Sequence, residues 1–240
     1  MSGHSKWAQI KRQKQSADEK RGQLFSKLAR TITLACREGG TDPDTNFKLR
    51  MAIDKARASS MPNDNIQRAI SRASGGESGG LLEEITYEGY GPFGTAFLIE
   101  AATDNKNRTV NNLKHIFSKH GGSLSGAGSV SWQFAARGQI LVERSGSKEL
   151  SDIELAAIDA GAEDVRESAE GLEIYTAPLD LHAVKNKVLE AGGKIAQAEI
   201  IKESTRGVEL APEQKKQIEA LLSELEDDDD VIAVHTSANL

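Results

Sequence analysis

The chain has 240 residues, of which 28% are charged and 5% aromatic, with one cysteine and a formal net charge of -6. With so few rings, several modest cores fit better than one large core, because single domains usually run to ~100–150 residues. No stretch approaches the ~18 apolar residues of a membrane span, and no basic start leads into an apolar run; a lone Cys36 forms neither an intramolecular disulfide nor a cysteine-based zinc site. The expectation is a soluble, cytoplasmic protein without membrane contact.

Charge is unevenly distributed. Residues 1–75 hold 15 Lys and Arg against 7 Asp and Glu, a net of +8, whereas the remainder holds 15 against 29, a net of -14. A cationic end on an anionic body points to a polyanion partner for the first part and to something other than nucleic acid, such as basic proteins, for the second.

In chain order, residues 1–16 lack an apolar stripe and read as a basic arm. Helical spacing then appears at Leu24, Leu28, Ile32 and Ala35, at Leu49, Ala52, Ile53 and Ala56, and at Ile66, Ala69 and Ile70, predicting a three-helix bundle. Gly39-Gly40 ends the first helix, Asp42-Pro43-Asp44 turns the chain, and Pro62-Asn63-Asp64 opens the third helix. The Gly/Ser-rich run at 74–80 reads as a linker.

Beyond it, residues 84–90 and 95–102 read as strands, 106–119 as a helix stopped by Gly121-Gly122, and 129–134 as a strand. From residue 138 the order is β-α-β-β-α-β: strands at 139–143, 164–167, 172–177 and 195–202, helices at 151–159 and 181–190. That order predicts a ferredoxin-like antiparallel sheet with both helices on one face. A last helix at 212–225 and strand at 231–235 enclose no core alone and complete the middle domain. The predicted fold is therefore α+β in three domains: residues 1–75, a basic helical domain with its arm; 81–136 plus 207–240, a discontinuous α/β domain; and 138–205, a second ferredoxin-like domain inserted into it. Leu113, Phe117, Gly121-Gly122 and Leu124 echo the spacing of Val184, Val188, Gly192-Gly193 and Ile195.

Among candidate sites, Gly89-Tyr-Gly-Pro-Phe-Gly94 matches G-x-G-x-x-G, but Pro92 and the following apolar run predict a hairpin turn into a strand instead of a dinucleotide loop into a helix. The five histidines lack metal-ligand spacing, Cys36 lies beside an apolar stripe and reads as buried, and the acidic run 226–230 lacks the alternation of a calcium loop and reads as a solvated turn. No metal or cofactor is expected. Asp104, Asn105 and Arg108 cluster at a strand-to-helix junction as a second polar site; helix capping explains the first two more readily than Arg108. The main candidates are cations. Lys6, Lys11, Arg12 and Lys14 surround Trp7, a ring suited to stacking on a base. Lys20, Lys27, Arg30 and Arg37 share one arc of the first helix, and Arg50 and Arg57, then Arg68 and Arg72, continue the series on the next two. A distributed cationic face suits phosphates better than base readout.

Gly3-His-Ser-Lys-Trp7, Arg37-Glu-Gly-Gly40 with Asp42-Pro43, Met61-Pro-Asn-Asp-Asn-Ile66 with Arg68-Ala-Ile70, Tyr87-Glu-Gly-Tyr-Gly-Pro92, Thr103-Asp-Asn105 with Asn107-Arg-Thr109, and Gly128-Ser-Val130 together resemble the YebC/PmpR family, also known through the mitochondrial translational activator of cytochrome oxidase subunit one. The resemblance implies three domains and no enzymatic activity. It also implies two competing roles: DNA-binding transcriptional regulation, or action in translation through association with the ribosome and relief of stalls at sequences such as proline runs. Two positions depart from it: Phe93 stands where the family commonly has glycine, and Gln13 where a cation is common. The first functional reading is a nucleic-acid-binding regulator of gene expression, a DNA-binding transcriptional regulator; the second is a ribosome-associated translation factor contacting ribosomal RNA. The last is a nucleotide-using enzyme built on the glycine-rich turn and Arg108.

Overall fold

In the computed structural model, which describes residues 21–74, 82–144 and 150–240, the helical spacing of the first third becomes α1 (Arg21–Gly39), α2 (Phe47–Ala58) and α3 (Asn63–Ser74). The arm expected at 1–16 and the linker from residue 75 lie outside the described residues. Leu28, Ile32 and Ala35 of α1 meet Leu49, Ile53 and Ala56 of α2 and Ile66 and Ala69 of α3, and Cys36 is buried with them, its thiol pushed up by that burial. Asn46 sets how α1 meets α2. Its side chain accepts from the Leu49 amide at 3.1 Å, capping α2, and donates to the carbonyls of Ala35 and Gly40, both at 2.7 Å. One buried amide thus satisfies groups at the end of one helix and the start of the next. A Cβ at Gly39 would sit 2.7 Å from that amide, which is why the side chain is absent there.

The chain continues through β1 (Glu83–Tyr90), β2 (Ala96–Thr103), α4 (Lys106–Lys119), β3 (Ser123–Ser125), β4 (Phe134–Glu143), α5 (Leu150–Asp159), β5 (Asp164–Glu167), β6 (Gly171–Thr176), α6 (Leu181–Glu190), β7 (Lys194–Ser204), β8 (Val208–Glu209), α7 (Pro212–Asp227), β9 (Val231–Thr236) and β10 (Ala238–Asn239). Among the described residues no helix is long and apolar enough to cross a membrane.

The described residues fall into two compact units. The first joins the three helices to 82–133 and 206–238. Its sheet has the order β3-β1-β2-β9, all antiparallel, with β1 and β2 paired as a hairpin from Glu83↔Thr103 to Tyr90↔Ala96. Strand β2 is buried on both faces, which accounts for its unbroken apolar run. Helix α4 docks through Phe117, whose ring meets Phe97 edge-on at 5.7 Å, and α4 also packs against α7.

The second unit, built on residues 134–205, has the order β5-β6-β4-β7, the ferredoxin-like sheet that the β-α-β-β-α-β reading predicts. Ile140 and Val142 of β4 lie beside Ile174 and Leu172 of β6 on one face, and Ile153, Ala157, Val184 and Val188 supply the buried residues of its helices. On the other face Tyr175 is stacked under Arg166 and Arg137, at 4.4 and 5.1 Å, and donates to Glu173 at 2.8 Å. The first sheet reaches the same two-layer α+β arrangement by a different chain order, opening with a hairpin. The sequence echo has a structural counterpart. Helices α4 and α6 both end on a left-handed glycine, Gly121 (φ 74) and Gly192 (φ 86), and the next amides, Gly122 and Gly193, each donate to a carbonyl five residues back at 2.8 Å.

One strand differs from expectation. Residues 129–133 are not extended; the strand lies earlier, in β3, and Ser131–Gln133 form a 3-10 turn before β4. The reason is Glu88, which draws the amides of this segment away from any ladder.

Candidate nucleic-acid interface

The cations nominated on α1 are only partly outward. Lys27 is half-buried and donates to the Glu226 carbonyl; burial lowers its pKa, opposed by the carboxylates of Asp228 and Asp229. Arg30 donates to the carbonyls of Ala102 and Asp229 and, at 2.8 Å, to the Asp230 carboxylate. Arg37 donates to the Leu82 carbonyl at 3.1 Å. On α2, Arg50 holds the carbonyls of Pro43 and Asp44, both at 2.9 Å, closing the turn before its own helix. Arg57 is exposed. On α3, Arg68 and Arg72 are exposed; Arg68 donates to the Asp64 carbonyl and, at 2.6 Å, to the Asn65 side chain. Lys6, Trp7, Lys11, Arg12, Lys14 and Lys20 lie outside the described residues. Arg37, Arg57, Arg68 and Arg72 are therefore the described cations of this set that are exposed, while Lys27, Arg30 and Arg50 are partly buried.

The acidic run is not the solvated turn that its composition suggests. Asp230 is only 3% exposed, and its carboxylate takes both Arg108 and Arg30 together with the hydroxyls of Thr109 (2.7 Å) and Thr103 (3.2 Å). Burial alone would raise its pKa; the hydrogen bonds from Thr109, Arg108 and Arg30 outweigh it and hold the group below the usual carboxylate range. The second polar site is absorbed into this network. Asn105 caps α4 by accepting from the Arg108 amide at 3.1 Å, and Asp104 accepts from the Arg108 guanidinium at 3.0 Å. Beside it lies a cleft of about 540 Å³ that Arg30, Arg108, Asn112 and the carboxylates of 227–230 help to line. The negative rim disfavours phosphate there.

A second buried carboxylate organises the segment 128–131. Glu88, 5% exposed, accepts from the amides of Gly128 (2.7 Å), Val130 (2.6 Å) and Ser131 (2.9 Å). Burial raises its pKa, and the three amides more than offset this, leaving it lowered. The Gly89–Gly94 motif leads through a 3-10 turn into β2, as the hairpin reading expects. Phe93 there has φ 63 and ψ 19, the left-handed conformation that favours glycine and explains why a glycine suits this position. Neither Glu88 nor Asp230 stands out in the sequence. Each needs partners distant in the chain to acquire a role, and a lone acidic residue carries no such signal. Among the described residues no cluster of His, Cys, Asp and Glu has the geometry of a metal site.

Both parts of the chain have counterparts among known proteins. Residues 5–76 match the model of the TACO1/YebC protein N-terminal domain, and residues 82–238 that of the TACO1/YebC second and third domain. A probable transcriptional regulatory protein of Thermoanaerobacter pseudethanolicus is 48% identical over 240 residues, covering 100% of this chain and 98% of its own. One from Thermomicrobium roseum is 52% identical over 240 residues, covering 100% and 96%. The crystal structure of a conserved hypothetical protein from Aquifex aeolicus is similar with a TM-score of 0.83 at 40% identity, covering 92% of this chain and 91% of that one.

Proposed function

We propose, from the premise that this chain belongs to the TACO1/YebC family, that it is a cytoplasmic regulator of gene expression that grips nucleic acid by its phosphates. The observation that carries the reading is the fate of the cations. Once Lys27, Arg30 and Arg50 are engaged within the fold, Arg37, Arg57, Arg68 and Arg72 remain exposed on α1, α2 and α3, in the part of the chain whose net charge is +8. The arm with Lys6, Lys11, Arg12, Lys14 and Lys20, and Trp7 for stacking, extends that cationic end. The acidic remainder is repelled by the same polyanion and is suited to basic protein partners.

The relatives' names favour transcription, for which duplex DNA is the expected ligand. One contact favours the second reading, a ribosome-associated translation factor on RNA. Asn65 and Arg68, side chains of the kind that read base edges, are paired to each other at 2.6 Å. A guanidinium so engaged positions a phosphate more readily than it reads a base. A nucleotide-using enzyme is not supported, because the glycine-rich turn opens into a strand and Arg108 is held by Asp230.

Co-sedimentation with ribosomes at physiological salt, with duplex DNA in excess, separates the readings. Retention on ribosomes assigns translation. Release onto DNA in a sequence-dependent manner assigns transcription, and binding to neither overturns the phosphate-grip reading.

A further inference from the structure

The exposed aromatic residues among the described part of the chain are Tyr90 (37%), Phe93 (42%) and Trp132 (59%), in a protein that otherwise buries or half-buries its described rings. They are not loosely placed. The Tyr90 hydroxyl and the Trp132 indole N–H both donate to the Ser129 carbonyl, each at 3.0 Å. Ser129 is itself fixed, because the flanking amides of Gly128, Val130 and Ser131 are held by buried Glu88. The Arg206 guanidinium carbon lies 5.0 Å from the Trp132 ring centroid. Phe93 is exposed on the hairpin turn, in a backbone conformation that is unfavourable for a non-glycine residue.

We propose that Trp132 and Tyr90, with Arg206, form a stacking platform for unpaired nucleobases of a single-stranded or looped nucleic acid, a proposal that rests on the phosphate-grip reading above. The polar edges of the two rings are already satisfied by one carbonyl and Arg206 lies over one face of Trp132, so what they offer a ligand is the remaining ring faces. Unpaired bases use such faces without demanding hydrogen bonds, and a neighbouring guanidinium supplies a cation beside them. A proline-rich peptide would draw on the same tyrosine hydroxyl and indole donors for its carbonyls, and both are occupied here. Duplex bases are excluded because their faces are covered by their neighbours. The platform thus adds to the cations of α2 and α3 a preference for single strands.

The test uses the full chain with Trp7→Phe, which leaves Trp132 as its one tryptophan, titrated by fluorescence with a single-stranded oligouridylate. A sugar–phosphate chain of equal length without bases, an oligoproline peptide and a DNA duplex serve as comparisons. The expected result is quenching by the oligouridylate but not by the abasic chain. Trp132→Ala in the otherwise unaltered chain, its fold checked by circular dichroism and its binding read from the anisotropy of end-labelled ligands, should weaken oligouridylate binding by about tenfold and leave the abasic chain unaffected, with Trp132→Tyr recovering most of the loss. Equal binding of both chains, unchanged in Trp132→Ala, overturns the platform while the phosphate grip stands. Quenching by oligoproline alone assigns the surface to a peptide and likewise overturns it. Failure of every nucleic acid to bind the unaltered chain, read by the same anisotropy, overturns both readings.

Discussion

Arg108 reaches Asp230 across 122 residues of sequence, its Nη2 lying 2.8 Å from both carboxylate oxygens. Arg30 of the helical bundle reaches the same carboxylate, so one buried anion ties α1 to α4 and β9. Asp230→Ala should therefore lower unfolding free energy by about 1.5–3 kcal/mol, the scale for hydrogen bonds to a charged group, because the arginines left behind are partly exposed to water. Asp229→Asn, at an exposed neighbour, should change it by less than about 0.5 kcal/mol. Urea denaturation of the two variants compares them directly, and equal effects would remove Asp230 from this role.

The same carboxylate predicts how stability depends on pH. Asp230 and Glu88 are buried yet held below the ordinary carboxylate range by their donors, and Glu224 is lowered by hydrogen bonds from Lys119 and His120. Depressed folded values mean that the stabilisation is present above the unfolded pKa, about 4, and is lost as pH falls through the folded values. The urea midpoint should hold on the neutral side and fall steeply below about pH 4. Asp230→Asn should flatten that fall.

Glu88 holds three backbone amides, and Glu88→Gln replaces one accepting oxygen with a donor. A loss of about 1.5–3 kcal/mol is expected, in the range for hydrogen bonds to a charged group. Hydrogen exchange gives the local readout: the amides of Gly128, Val130 and Ser131 should lose protection before those of β2. Unchanged protection at these three would mean that the turn is held by something else.

Phe93 occupies the left-handed region, which costs a non-glycine residue about 1–2 kcal/mol. Glycine removes that strain but has more freedom to lose on folding, about 0.5–1 kcal/mol. Phe93→Gly should thus be stabilising by up to about 1 kcal/mol, raising Tm by about 2–4 °C, whereas Phe93→Ala keeps the strain and should not. A lower Tm in the glycine variant would show that the ring is held by packing.

Charge reversal at Arg57, Arg68 and Arg72 should weaken nucleic-acid binding. On a duplex, the slope of log affinity against log salt should become shallower by about 0.9 for each phosphate that is no longer neutralised. Circular dichroism should remain unchanged, because these side chains are exposed. Arg30→Glu should do the opposite, disturbing the fold through Asp230. A salt slope unaffected by the triple reversal would place the phosphate-binding cations elsewhere, in the arm.

Local order was largely legible in the chain. Helical periodicity located α1, α2 and α3, and the alternation of strands and helices after residue 138 predicted the second sheet, because burying one face imposes its period on the sequence. The short motifs carried family membership. What the sequence could not show is which charges meet. Lys27 and Arg30 share the helix face that reads as cationic and free, yet the fold brings the acidic run 226–230 against them; Glu88 looks like any strand glutamate until the segment 128–131 wraps around it. Sequence alone determined the helices and most of the strands, since these follow from neighbours within a few turns or residues, whereas the segment 129–133 follows from Glu88. The tertiary structure decided which cations face outward, because a charge is neutralised by whatever the chain's path places within a few ångströms, and that path is a property of the whole fold.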